Sequence, residues 1–157
     1  MTECPVEISV VIPVYNSEKT LNELYQRLRA VLDTYLKRTF ELIFVDDSSA
    51  DNSWVILKEL QQADDRVKIV RLMRNFGQHN ATICGFGHCS GQYIVTMDDD
   101  LQHPPEELCK LLSKAEAGYD VVFGVYVDKK HGLYRNLATE FINYLQGRSI
   151  KPRTDWH

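Results

Sequence analysis

The residues of this chain that could carry chemistry fall in four short clusters, and the densest is Asp98-Asp99-Asp100. Three adjacent carboxylates repel one another, and like charges at close range raise carboxyl pKa values. A divalent cation relieves that repulsion. Mg²⁺ and Mn²⁺ prefer oxygen ligands, and Mg²⁺ is often held by one or two carboxylates completed by substrate phosphates. In an extended stretch Asp98 and Asp100 point to one side and Asp99 to the other, with Gln102 next on the Asp98 side. That spacing suits a metal-bound diphosphate; the bland alternative is a solvated acidic turn that caps the next helix. Asp46-Asp47 can accept hydrogen bonds from a base N–H or from ribose hydroxyls, or can make a turn ahead of a helix started by Asp51 and Ser53. Pro13-Val14-Tyr15-Asn16 combines a rigid chain exit with an aromatic ring that either stacks on a nucleobase or packs inward. Asn16 and Glu18 are the polar groups for the base edge or ribose. Asn75-Phe76-Gly77-Gln78-His79 is a polar, glycine-bearing helix start, able to present backbone N–H groups to an anion. His79, His88 and His103 do not stand at convincing ligand spacing.

These clusters need a frame, and apolar patterning supplies one. Residues 8–13 (ISVVIP), 40–46 (FELIFVD), 67–72 (VKIVRL), 92–97 (QYIVTM) and 120–125 (DVVFGV) are short runs rich in β-branched residues. Their lack of clean alternation predicts strands buried on both faces, as in a parallel sheet. Helical patterns lie between them. Ser17 is placed to cap a helix whose stripe is Leu21, Leu24, Leu28, Val31, Leu32 and Tyr35. Asp51 is placed to cap a second with Trp54, Leu57 and Leu60, and residues 78–89 make a third. Pro104, Glu106 and Glu107 suit the start of a fourth, with Leu108, Leu111 and Leu112 facing inward. Alternating strands and helices imply a layered α/β fold. In such folds ligands sit beyond the carboxyl ends of the strands, and all four polar clusters follow a predicted strand.

The 157 residues suit one domain, long enough to hide roughly two-thirds of its unfolded surface. The net charge of −4 argues against a general nucleic-acid binder. Lys129, Lys130, Arg135, Arg148, Lys151 and Arg153 gather late, so an anionic partner should dock toward the C-terminal end. Four cysteines without a CxxC pair, and no signal-peptide pattern, predict a reduced, cytoplasmic setting. Cys84 and Cys89 are expected to be buried on a helix rather than to hold zinc. No run reaches the ~20 apolar residues of a membrane span.

The four clusters together resemble the family-2 inverting glycosyltransferases of the GT-A fold. Within that family they are most similar to the polyprenyl-phosphate branch, which includes dolichol-phosphate mannosyltransferase and undecaprenyl-phosphate enzymes. The resemblance rests on Val11-Ile12-Pro13-Val14-Tyr15-Asn16, Phe44-Val45-Asp46-Asp47-Ser48-Ser49 with Asp51, Arg74-Asn75-Phe76-Gly77-Gln78, and Met97-Asp98-Asp99-Asp100-Leu101-Gln102-His103-Pro104-Pro105-Glu106. The last stretch is the most specific.

The resemblance implies a GT-A (Rossmann-like) three-layer α/β sandwich with a mostly parallel central sheet. Residues 1–157 would form one nucleotide-sugar-binding domain, with 130–157 opening an incomplete acceptor-side or membrane-proximal segment. Pro13, Val14, Tyr15, Asn16, Glu18, Val45, Asp46 and Asp47 would bind the base and ribose, with Asp98 and Asp99 near the ribose and diphosphate. Asp98, Asp99 and Asp100 would form the catalytic cluster, and Asp98, Asp100 and Gln102 would hold Mg²⁺ or Mn²⁺. The implied reaction moves a sugar with inversion from a UDP- or GDP-sugar to a polyprenyl phosphate at the cytoplasmic face of a membrane. Lys129, Lys130, His131 and Arg135 are candidates for the acceptor phosphate, and residues 134–145 form an amphipathic stretch that could lie on the membrane surface. Self-association into a homo-oligomer stays open. One departure stands out: Tyr126 occupies a position where the branch usually carries arginine. Three rivals remain: a module that binds nucleotide sugar without transferring it, an Asp-x-Asp phosphatase built on Asp98 and Asp100, and a phospho-receiver domain built on Asp46-Asp47. The phosphatase leaves the Pro13 and Asp46 clusters unexplained, and the receiver leaves residues 101–105 unexplained.

Overall fold

The computed structural model describes residues 5–124. Four strands, β1 (Ile8–Val14), β2 (Phe40–Asp46), β3 (Val67–Arg71) and β4 (Tyr93–Thr96), form one parallel sheet in the order β3-β2-β1-β4. Every residue of β1 and β2 is buried, as continuous β-branched runs demand of central parallel strands. The outer strands depart from that expectation: β4 alternates between half-buried and exposed, and β3 is fully buried only at Val67.

Period-two alternation divides the core between two faces. Val10, Ile12, Leu42 and Phe44 join the larger core with side chains of α1 (Leu21–Arg29), α2 (Ser53–Ala63) and α4 (Leu108–Glu116). Val11, Ile43 and Val45 point the other way and pack against Ala81 of α3 (Gln78–Phe86). Helices therefore cover both faces of the sheet, and the layered expectation holds. Cys84 and Cys89 are half-buried thiols packed at the edge of this second core, Cys84 on α3 and Cys89 beyond its end. Gly85 is what allows α3 so close to the sheet. A Cβ there would overlap Cγ1 of Val11 and stand 3.3 Å from Cγ2 of Val45.

Several sequence expectations shift. The first helix begins at Leu21 after Thr20, and Ser17 contributes its carbonyl to the N–H groups of Thr20 and Leu21 rather than a side-chain cap. Its hydroxyl is engaged elsewhere. A π-helical segment, Ala30–Leu36, continues α1 and ends at Lys37 in the left-handed region. This wider winding carries Tyr35 off the predicted stripe, and it is 73% exposed while Val31 and Leu32 stay buried. Asp51 does accept the N–H of Ser53 at 2.9 Å, although the helix is flanked by Asn52. The fourth helix opens with a 3₁₀ turn, Pro105–Glu107, before α4, and Leu108 and Leu112 are buried. Residues 120–124 form no strand, and Val121 and Phe123 are 68% and 81% exposed. Apolar β-branched composition permits a strand, but only a partner edge makes one.

The end of the sheet remote from the polar clusters holds a buried acid. Glu41 on β2 accepts hydrogen bonds from the Ser9 hydroxyl at 2.6 Å and from the N–H and hydroxyl of Ser90 at 2.6 and 2.9 Å, and it pairs with Lys68 Nζ at 2.6 Å. Ser9 in turn accepts the N–H of Gly91 at 2.8 Å. Burial opposes ionisation of Glu41, but the hydrogen bonds from Lys68, Ser9 and Ser90 outweigh it and hold the pKa at about 2. A carboxylate with a depressed native pKa stabilises the fold above its unfolded pKa, and the benefit is lost as pH falls through the native value.

Two outcomes follow. Gly85→Ala should lower the urea midpoint by an amount worth roughly 1–3 kcal/mol, the usual cost of overpacking. Between pH 4.5 and about 2, stability of the wild-type chain should fall by an amount on the order of 3 kcal/mol that Glu41→Gln no longer shows, measured as urea unfolding against pH.

Candidate functional site

The sheet order places a topological switch between β1 and β4, where successive crossovers leave in opposite directions. A cleft of about 240 Å³ opens there, beyond the carboxyl ends of the strands. Its lining comes from all four rims: Pro13, Val14 and Tyr15 after β1, Asp47 after β2, Asn75, Gly77 and Gln78 after β3, and Asp98, Asp99 and Asp100 after β4. Four of these side chains are carboxylates, and none is lysine or arginine.

The acidic triplet is splayed by a turn rather than an extended strand. β4 ends at Thr96, residues 99–100 turn, and Leu101 adopts a left-handed φ of 59°. Each carboxylate meets a different partner. Asp98 Oδ1 accepts from the Gln78 side-chain amide at 2.6 Å, and its Oδ2 lies 4.0 Å from His103 Nε2. Asp99 Oδ2 accepts from the N–H of Tyr15 at 3.1 Å and from the Ser17 hydroxyl. Asp100 Oδ1 accepts the N–H of Gln102 at 2.9 Å. Burial pushes the Asp99 pKa up and the Asp100 charge adds to that, against the pull of Ser17 and Tyr15.

Asp47 is the buried anchor of the cleft. Its N–H donates to the Val14 carbonyl at 2.8 Å, and its two oxygens accept the N–H groups of Phe76 and Gly77 at 2.7 and 2.8 Å. The Asn75 side chain also accepts from Gly77 N–H at 3.0 Å. Gly77 takes φ 89°, which favours glycine, immediately before α3. Two of the N–H groups expected to face an anion are therefore spent on Asp47.

Of the residues read as donor-binding, Pro13, Val14, Tyr15, Asp47, Asp98 and Asp99 line the cleft, while Asn16, Glu18, Val45 and Asp46 do not. Val45 is core beneath α3. Asp46 is wholly buried; its Oδ1 accepts Ser49 N–H at 3.1 Å and its Oδ2 lies 3.1 Å from Arg71 Nε. The Arg71 guanidinium also lies over the Trp54 ring, 5.3 Å from its centroid. Asn16 and Glu18 fasten the loop after β1 to the loop after β2. Asn16 donates its N–H to Ser49 Oγ at 2.9 Å and accepts from Ala50 at 2.8 Å, and Glu18 accepts from Asn52 at 3.0 and 2.9 Å. Gln102 also stands outside the lining. Lys129, Lys130, His131, Arg135 and Tyr126, and the stretch 134–145, lie outside the described residues.

Asn75, Gly77 and Gln78 line the cleft, although the sequence reading gave their cluster only a backbone role toward an anion and none to their side chains. The available signal was a glycine before a helix with no side-chain cap, flanked by amides. A hard divalent cation fits the oxygen donors of Asp98 and Asp100. Among the described residues no three His, Cys, Asp or Glu side chains converge to hold a metal unaided, which leaves coordination to be completed by water and substrate phosphate.

The family model described as "Glycosyl transferase family 2" matches residues 9–156. An undecaprenyl-phosphate 4-deoxy-4-formamido-L-arabinose transferase of Klebsiella pneumoniae is 44% identical over 151 residues, covering 95% of this chain and 46% of that protein. The enzyme of the same name from Salmonella paratyphi A is 42% identical over 144 residues, covering 91% and 44%. The chain thus spans less than half the length of these curated relatives. Among solved structures, residues 1–349 of S. aureus TarS superpose with a TM-score of 0.57 at 26% identity, covering 71% of this chain and 32% of that one. The mannosyltransferase PcManGT of Pyrobaculum calidifontis, solved with GDP-Man and Mn²⁺, gives 0.56 at 18% identity, covering 68% and 32%, a likeness of fold.

Asp47→Asn should replace one of the two accepting oxygens by an NH₂ group and so remove one of the bonds to the Phe76 and Gly77 N–H groups. We expect a loss of roughly 1–3 kcal/mol and faster amide hydrogen exchange confined to the start of α3.

Proposed function

Because the chain belongs to glycosyl transferase family 2 and carries the α/β fold of GT-A enzymes, we propose that it supplies the donor side of a transferase. That transferase moves a sugar with inversion from a UDP- or GDP-sugar to a polyprenyl phosphate at the cytoplasmic face of a membrane. One observation carries the donor half: a switch-point cleft lined, among the described residues, by four carboxylates and no basic side chain. Such a lining repels a bare diphosphate, so a nucleotide sugar can settle there only with a cation between the two sets of oxygens. The relatives' names point the acceptor half toward undecaprenyl phosphate, and no helix among the described residues is long and apolar enough to cross a membrane.

In this reading Tyr15, half-exposed at the rim, stacks on the base, with Pro13 and Val14 forming the wall beneath it. Asp98 and Asp100 supply oxygens to Mg²⁺ or Mn²⁺, with Gln102 next in line. Asp99 keeps the triplet joined to the loop after β1 through Tyr15 and Ser17. When bound, the cation neutralises the leaving diphosphate. The bond between the anomeric carbon and the diphosphate breaks as an acceptor phosphate oxygen bonds that carbon from the opposite face. A phosphate monoester has its second pKa near ~6, so it arrives largely ionised and asks the protein for position rather than for a base. Lys129, Lys130, His131 and Arg135 are the proposed phosphate contacts.

Calorimetry with UDP-, GDP- and dTDP-sugars, with and without Mn²⁺, tests the proposal. One base class should bind only with the metal, and Asp100→Asn should weaken that binding roughly tenfold or more, a change of about 1.4 kcal/mol. Equal binding without metal would count against the cation bridge. Sugar transfer to a short polyprenyl phosphate, assayed beside donor hydrolysis, separates the transferase from the binding module.

A further inference from the structure

We infer that Gln78 is a positioning residue for the acidic triplet: it holds Asp98 in the orientation that a cation-bound diphosphate requires. The inference rests on the proposed donor site and adds to it a residue that motif reading left without a task.

Asp98 follows the last regular residue of β4 and has no ladder hydrogen bond to fix it. The final bond joining this edge to β1 is Met97 N–H to the Val11 carbonyl at 3.1 Å. Asp99 is held from the loop after β1 and Asp100 from its own turn, so neither restrains Asp98. Gln78 does so from across the cleft, with its Nε2 2.6 Å from Asp98 Oδ1. A carboxylate only accepts, so the amide must present its NH₂ group there.

The anchor behind Gln78 is firm. It is the first residue of α3, and the two residues before it have their N–H groups in the grip of the buried Asp47 carboxylate. Position is thus relayed from β2 through the Phe76-Gly77 backbone to Gln78 and on to Asp98.

Residue type matters as much as place. Lysine or arginine at 78 could also reach a carboxylate but would neutralise it and compete with a metal. An amide is uncharged, so it orients Asp98 through Oδ1 without neutralising the carboxylate, whose Oδ2 stands 4.0 Å from His103 Nε2. Asp98 and Gln78 both line the cleft, so the pair sits where that charge would be used.

The test uses the whole chain and three proteins: wild type, Gln78→Met, which keeps length and loses the donor, and His79→Ala, on the same helical turn but outside the lining. UDP and GDP are titrated calorimetrically with and without Mn²⁺, and Mn²⁺ occupancy in the presence of nucleotide is followed by electron paramagnetic resonance. Gln78→Met should lose roughly three- to tenfold in Mn²⁺-dependent nucleotide affinity, with a matching loss of Mn²⁺ occupancy. Its melting temperature should stay at the wild-type value, neither protein should bind nucleotide without the metal, and His79→Ala should behave as wild type throughout. Wild-type Mn²⁺-dependent affinity in Gln78→Met overturns the inference while leaving the donor site intact. A loss shared by His79→Ala, or a loss accompanied by a lowered melting temperature, also overturns it by making Gln78 a helix-stability residue. If wild type binds neither nucleotide with Mn²⁺, the donor-site reading itself falls and takes this inference with it.

Discussion

The carboxylate of Asp47 is the interaction on which the cleft depends. One residue joins three rims: its N–H holds the end of β1, its own backbone continues β2, and its two oxygens hold the loop that starts α3. A buried carboxylate is costly unless its lone pairs are used, and here both oxygens accept charge-assisted bonds from backbone N–H groups. The backbone gains as well: Asp47 accepts the Phe76 N–H and shares the Gly77 N–H with the Asn75 side chain. Removing either side strands the other.

A second set of bonds does for the neighbouring loops what Asp47 does for α3. Asn16, Ser17 and Glu18 exchange hydrogen bonds with Ser49, Ala50, Asp51, Asn52 and Ser53, so the loops after β1 and β2 behave as one body. Three non-glycine residues with left-handed φ, Asn16, Ser48 and Leu101, lie in the loops at this end of the sheet. Strain of that kind persists only where surrounding bonds over-determine the chain. The Asp46–Arg71 pair holds the Ser49 turn in shape: Asp46 accepts the Ser49 N–H, and Arg71 donates to the Ser49 carbonyl and lies over the Trp54 ring.

The frame was largely legible because buried parallel strands declare themselves as unbroken β-branched runs; β2 begins and ends where its apolar run does. What escaped was governed by partners far away in sequence. Ser17 has the chemistry of a helix cap, yet its hydroxyl is claimed by Asp99 across 82 positions. Asp46 and Asp47 are chemically identical neighbours. Alternation says that they point to opposite faces, but not that one meets Arg71 and the other the loop before α3. Val45 carried a motif position and proved to be core, because a strand residue buried under a glycine has no free surface to offer. The run at residues 120–125 shows the converse: suitable composition without a paired edge makes no strand in the described part.

The Glu41 network stands at the opposite end of the same strands from the cleft. Five residues of β2 lie between Glu41 and Asp47, which puts them roughly 20 Å apart along an extended chain, and they share no hydrogen-bond partner. Energetic effects at sites so far apart add nearly independently. The sheet therefore decouples inheritance into two ledgers. Substitutions around Tyr15, Asn75 or Gln78 can explore new ligands while the Ser9–Glu41–Lys68 anchor keeps the fold above its threshold. In a scaffold of this kind, diversification at one pole leaves cohesion at the other untouched.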